Sequence, residues 1–223
     1  MRASAAGAGT GQAALSRAPA AAVNFLAHLY LSPPGAEGRL GSLLGDFVKG
    51  PIGSSGYEGD VARGIRLHRA IDTFTDAHPV VQSAKRLVSP HRRRHAGILV
   101  DLFFDHFLAR DWHRWHEEPL ADFAARTYAE LATSPQPVPD RFARMLPAMA
   151  SQDWLRSYER LGGIGRALDL MARRSAAGVP LAGGVAELHA NLQAFEEAFE
   201  RFFPDVIRLA ASHGAGPAAP RLS

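Results

Sequence analysis

An all-α fold, a single-domain multi-helix bundle, is what this sequence predicts, and three observations predict it. Apolar residues recur at three- and four-residue spacing through most of the chain. Stretches that alternate apolar and polar residues, as half-buried strands do, are missing, and no internal repeat is visible. Gly- and Pro-rich breaks separate the periodic segments. A length of 223 residues suits one domain with a sizeable core.

Taken in order, residues 1–22 are small-residue-rich and lack the apolar core of a signal peptide, so a disordered extension is expected there. The helical domain is expected over 23–211, with a flexible tail at 212–223. Within the domain the spacing predicts helices at 24–31, 39–49, 58–75, 79–88, 92–116, 119–132, 139–149, 152–173 and 184–211. Breaks are expected at Ser32-Pro33-Pro34-Gly35, from Gly50-Pro51 to Gly56, from Ser134 to Pro139, and at Gly178-Val179-Pro180. Pro204 should kink or divide the last helix.

Composition narrows the function classes. Apolar content of 47% and charged content of 21% are those of an ordinary globular protein. No run of about 18 uncharged apolar residues exists, so no membrane-spanning helix is expected. Cysteine is absent, which excludes disulfides and thiolate metal sites and fits a cytoplasmic location. A net charge of +3 without a recognised motif argues against nucleic acid. Lys49 and Lys85 are the only lysines among 25 cationic residues. The densest basic run is HRRRH at 91–95, where Arg92, Arg93 and Arg94 are either a solvated helix start or a contact for an acidic partner.

Polar residues inside apolar stretches carry the chemistry. Asp101 and Asp105 stand four apart in LVDLFFDHFLAR, a segment apolar on nearly every face, with His106 about 100° further round the helix. A buried carboxylate is costly unless paired, hydrogen-bonded or metal-bound. In GIRLHRAIDTFTDAH, His68 and Asp72 are again four apart, Asp76 follows one turn later, and Arg69 sits beside them. His28 interrupts NFLAHLYL, one turn after Asn24, and Asp46 interrupts RLGSLLGDFVKG. Independent buried ion pairs explain one or two such residues; a shared metal centre explains four segments with one cause. Carboxylate and imidazole without thiolate favour Mn²⁺, Mg²⁺ or Fe²⁺, with Zn²⁺ also compatible. No Glu-x-x-His, Walker loop or His-Glu-x-x-His occurs. His113 and His116, on the polar end of the 92–116 segment, are expected to be surface residues.

NFLAHLYL, LGSLLGDFVKG, GIRLHRAIDTFTDAHP and LVDLFFDHFLARDW, in this order, resemble the bacterial acyl-carrier-protein phosphodiesterases over about residues 23–211. The resemblance implies an HD-like helical phosphohydrolase that removes 4′-phosphopantetheine from holo-acyl carrier protein, with Mn²⁺ as cofactor. It implies a metal set drawn from His28, Asp46, His68, Asp72, Asp105 and His106. Arg69, Asp76 and Asp101 are the matching positions expected to act in catalysis; because the implied carrier protein is strongly acidic, Arg92, Arg93 and Arg94 are expected to dock it. The adjacent His-Asp doublet of HD proteins does not occur; Asp105-His106 is its reverse. Family members begin at the Met of MNFLAHL, so Val23 is expected to be the initiator. The alternatives are an HD-like enzyme acting on a nucleotide or other small phosphoester, and a non-catalytic helical interaction module.

Overall fold

The computed structural model describes residues 24–173 and 176–216. The expected extension at 1–22, with Val23, and residues 217–223 of the expected tail lie outside the described residues. Among the described residues there are eleven α-helices and no strand: α1 (Phe25–Tyr30), α2 (Ala36–Leu44), α3 (Gly59–Ala77), α4 (Pro79–Leu87), α5 (Ala96–Arg110), α6 (Leu120–Thr133), α7 (Asp140–Ser151), α8 (Trp154–Ser157), α9 (Leu161–Ala172), α10 (Val185–Ala190) and α11 (Leu192–Ser212). No helix among them is long and apolar enough to cross a membrane.

Helix α5 is the centre of the bundle. Leu99, Val100, Leu102, Phe103, Phe107 and Leu108 are fully buried, and the helix packs against α1, α4, α9 and α11. Its apolar surface on every side is satisfied because neighbours cover every side. Aromatic contacts lock α11 onto it, edge-on for Phe103 against Phe195 and Phe104 against Phe199, and stacked for Phe104 against Phe202.

Several expected boundaries move for local reasons. The 39–49 segment starts earlier, at Ala36, and leaves the helix at Leu44, whose carbonyl accepts from both Phe47 and Val48 N–H groups. Asp46 therefore sits on a turn. The expected 92–116 helix divides into a 3₁₀ segment (Pro90–His95), α5, and a second 3₁₀ turn (Trp112–Arg114). Asp153, left-handed at φ 46°, separates α7 from α8, a conformation that Asp tolerates better than most residues. Pro204 lies inside an uninterrupted α11; the break in 184–211 falls instead at Asn191. The first turn of the expected tail is docked: Ala215 is buried, and Arg63 donates to the carbonyls of His213 and Gly214.

Close packing of α2 on α3 brings polar side chains from the two helices together. Gly38, Gly41 and Gly45 form a stripe along α2 and its end, and Gly64 faces it from α3. A side chain at Gly41 would strike the Val61 carbonyl, one at Gly64 the Gly38 carbonyl, and one at Gly45 the imidazole of His68. Glycine at these positions lets two backbones approach closely, so that the turn after α2 reaches the middle of α3.

Candidate metal centre

Three helical segments converge on one point. His28 comes from α1, Asp46 from the turn after α2, and His68 and Asp72 from successive turns of α3. The His28 and His68 rings stack with centroids 3.9 Å apart and planes 19° apart. Asp72 reaches between them, with Oδ1 3.2 Å from His28 Nε2 and Oδ2 3.2 Å from His68 Nε2. Asp46 Oδ1 stands 3.6 Å from His68 Nε2. One ligand atom from each of His28, His68 and Asp72 lies within 4.8 Å of the others. Both imidazoles are buried, whereas the Asp72 side chain is 48% exposed, so the cluster opens to solvent on the carboxylate side.

The tautomer of His68 is set by the backbone. Its Nδ1 lies 2.7 Å from the Ser42 carbonyl, an acceptor only, so Nδ1 carries the proton and donates. Nε2 is then the atom left to face the carboxylates, the arrangement common to metal-binding histidines. His28 Nε2 and His68 Nε2 are both buried without a hydrogen bond of good geometry. Two unsatisfied imidazole nitrogens aimed at two carboxylates fit a divalent cation of the oxygen- and nitrogen-ligated kind.

Electrostatics couple the four groups. Burial opposes a charged His68, but the facing carboxylates of Asp46 and Asp72 prevail and push it up to about 10. Burial, with neighbouring His68, lowers His28. Burial opposes an ionised Asp72, yet the two imidazoles hold it well below the usual carboxylate range.

The structure brings together His28, Asp46, His68 and Asp72, and sends other expected residues elsewhere. Asp105 is fully buried on α5, and its two oxygens accept from the N–H groups of Leu26 (3.0 Å) and Ala27 (2.9 Å). These are orphan donors in the first turn of α1, and Asn24 at the cap position makes no side-chain bond to them. Asp105 thus caps α1 from a distant helix. It holds the element that carries His28 and is not one of the converging ligand atoms. Burial raises its pKa well above the usual range, against the pull of the Ala27 and Leu26 N–H groups. His106 is also absent from the cluster: its Nδ1 lies 2.8 Å from the Tyr158 carbonyl, where burial lowers its pKa.

Asp101 stays close. It makes no side-chain hydrogen bond among the described residues and lines a small cavity with Asn24, Thr75 and Phe104. Burial, then repulsion from Asp72, pushes its pKa up to about 7 against the pull of Lys85. Asp76 is exposed and pairs with Lys85 at 2.7 Å. Arg69 donates to the carbonyls of Gly50 (2.9 Å) and Val48 (2.7 Å), so its guanidinium straps the loop after α2 instead of waiting free for phosphate. Arg92 is occupied as well, by the carbonyls of Pro180 and Ala182 and by Glu187. Arg93 donates to Val88 O, and Arg94 is exposed. His113 is exposed as expected, but half-buried His116 stacks on Trp112 at 5.0 Å. Ser42 and Gly45, which hold and admit the His68 ring, escape a search for chemical side chains; the Gly38/Gly41/Gly45 spacing is the signal that points to them.

A helical protein with a His/Asp cleft of metal-binding composition is the class these observations define. The profile of the family described as Acyl carrier protein phosphodiesterase matches residues 23–206. A relative named acyl carrier protein phosphodiesterase from Salmonella dublin is 36% identical over 190 residues, covering 85% of this chain and 98% of the relative. Proteins of the same name from Enterobacter sp. (36% over 183 residues, 82% of this chain and 94% of the relative) and Pectobacterium atrosepticum (33% over 190 residues, 84% and 97%) agree. The chain belongs to the acyl carrier protein phosphodiesterase family. No solved structure matches it.

Proposed function

We propose that this protein is a metal-dependent phosphodiesterase that hydrolyses 4′-phosphopantetheine from holo-acyl carrier protein, leaving the apo form. The observation that carries the reading is the convergence of two buried imidazole nitrogens, neither with a well-formed hydrogen bond, on Asp72, in a chain of this family. His28, His68 and Asp72 would hold the ion, with Asp46 beside them, and Mn²⁺ suits that oxygen and nitrogen donor set. When bound, such an ion supplies Lewis acidity and lowers the pKa of a water.

The chain's own groups do the rest. Ser42 keeps the proton on His68 Nδ1 and so keeps Nε2 aimed into the cleft. Asp105 fixes the start of α1 and with it the height of His28. Asp101, raised towards neutrality by burial and by the nearby Asp72 carboxylate, is the candidate to hand a proton to the leaving serine oxygen. Arg69 keeps the 48–50 loop against α3. A cytoplasmic location belongs to the same reading, and the absence of cysteine is compatible with it.

Purified protein incubated with Mn²⁺ and holo-carrier protein should convert the carrier to a mass lower by one phosphopantetheine. Intact holo-carrier after prolonged incubation with metal-loaded enzyme would refute the proposal.

A further inference from the structure

Of the expected docking cluster at 92–94, Arg92 is committed within the molecule and Arg93 bonds only through Nε, while another set of exposed cations stands beside the cleft. Arg141 and Arg144 lie one turn apart on the exposed side of α7, while Phe142 between them is buried. The Arg141 guanidinium rests over the Phe47 ring at 5.6 Å, and Phe47 packs edge-on against Phe142 at 5.3 Å. Phe47 directly follows Asp46, whose carboxylate faces His68. Lys49 is exposed two residues further on, in the loop strapped by Arg69.

These three cations share a second property. Among the described residues none of them has an acid within ion-pair distance, unlike Arg39, Arg92, Arg110, Arg114 and Arg126. Exposed Arg93, Arg94 and Arg201 share that freedom, and what sets this group apart is its place beside Phe47 and Asp46. For Arg141 and Arg144 the nearest acid in sequence, Asp140, sits in the first turn of α7, where a helix start favours negative charge. Arg141 is moreover partly ordered by its ring contact, so less side-chain freedom is lost when it meets a carboxylate.

We propose that Lys49, Arg141 and Arg144 form the docking rim for an acidic carrier protein, orienting its phosphodiester into the cleft beside Asp46. The inference rests on the function proposed above, because a protein-borne phosphodiester can reach His28, His68 and Asp72 only if the carrier sits on the lip of the cleft. Complementary charge at such a lip steers encounter and fixes orientation.

The test uses binding of the apo-carrier, which has nothing to cleave, together with steady-state hydrolysis of the holo form. The double reversal R141E/R144E should weaken apo-carrier binding and raise KM at least about tenfold, and flatten the salt dependence of KM. The neutral pair R141Q/R144Q should fall between, and R201E on α11 should behave as wild type. Retained helical circular dichroism and Mn²⁺ binding certify that the variants fold. Wild-type affinity in R141E/R144E, or a loss confined to R93E/R94E, overturns the inference. Wild-type protein that binds carrier without cleaving it refutes the function and leaves the rim to the same comparison. Wild-type protein that neither binds nor cleaves carrier refutes both.

Discussion

His68 and Asp72 on α3, and Asp101 and Asp105 on α5, present the same pattern in the sequence: two polar groups four residues apart in a helix otherwise suited to burial. The folded protein uses them differently. The α3 pair projects towards a partly open cleft, where His28 and Asp46 arrive from two other segments. The α5 pair splits. Asp105 turns inward to the first turn of α1, while Asp101 lines a small cavity between α1, α3 and α11. Helical spacing says that two side chains share a face; the neighbour packed on that face decides whether they meet a cation or an orphan N–H group.

Removing the α3 pair should have the largest effect. H68A or D72A should lower turnover of holo-carrier by a factor of about 10²–10⁴ and abolish tight Mn²⁺ binding. Far-ultraviolet circular dichroism should remain that of a helical protein. Activity within tenfold of wild type would move the chemistry elsewhere.

Next in size is the structural member of the α5 pair. D105A leaves two buried backbone N–H groups without their acceptor, for a loss of about 3 kcal/mol. Thermal melting should fall by about 6–12 °C. Mn²⁺ should still bind, weakened by no more than about tenfold through the loosened α1. Loss of the metal with unchanged melting would make Asp105 a ligand after all.

Proton competition tests the α3 pair as well. His68 has its folded pKa raised to about 10 from 6.5, so its stabilisation of the metal-free protein is complete below pH 6.5 and is lost as pH rises through 10. A metal that takes Nε2 must displace that proton. Affinity for Mn²⁺, measured by titration calorimetry, should therefore tighten by about tenfold per pH unit across this window, and a pH-independent affinity would contradict it. The smallest effect belongs to Asp76, exposed and paired with Lys85. D76N should change stability by less than about 1 kcal/mol in thermal melts and leave turnover near wild type.

The burial of α5, the all-α class and the meeting of His28, Asp46, His68 and Asp72 were legible in the sequence, through periodicity and through polar interruptions of apolar runs. Other features were not, for physical reasons. The fate of Asp105 depends on where α1 begins in space, which no local pattern records. Arg69 and Arg92 look like free phosphate or partner contacts until the carbonyls of Val48, Gly50, Pro180 and Ala182 are placed beside them. Pro204 is a strong local breaker, yet packing of α11 against α3, α4 and α5 carries the helix through it.

If His28, His68 and Asp72 hold a divalent ion and the α5 residues do not, variants of the two groups must differ in metal content. Mn²⁺ stoichiometry and affinity, read by electron paramagnetic resonance on wild type, H28A/H68A and H106N, supply that comparison. Bound Mn²⁺ is expected in wild type and H106N, and only free aqueous Mn²⁺ in H28A/H68A. Undiminished Mn²⁺ binding in H28A/H68A would contradict the assignment of the metal to this cleft.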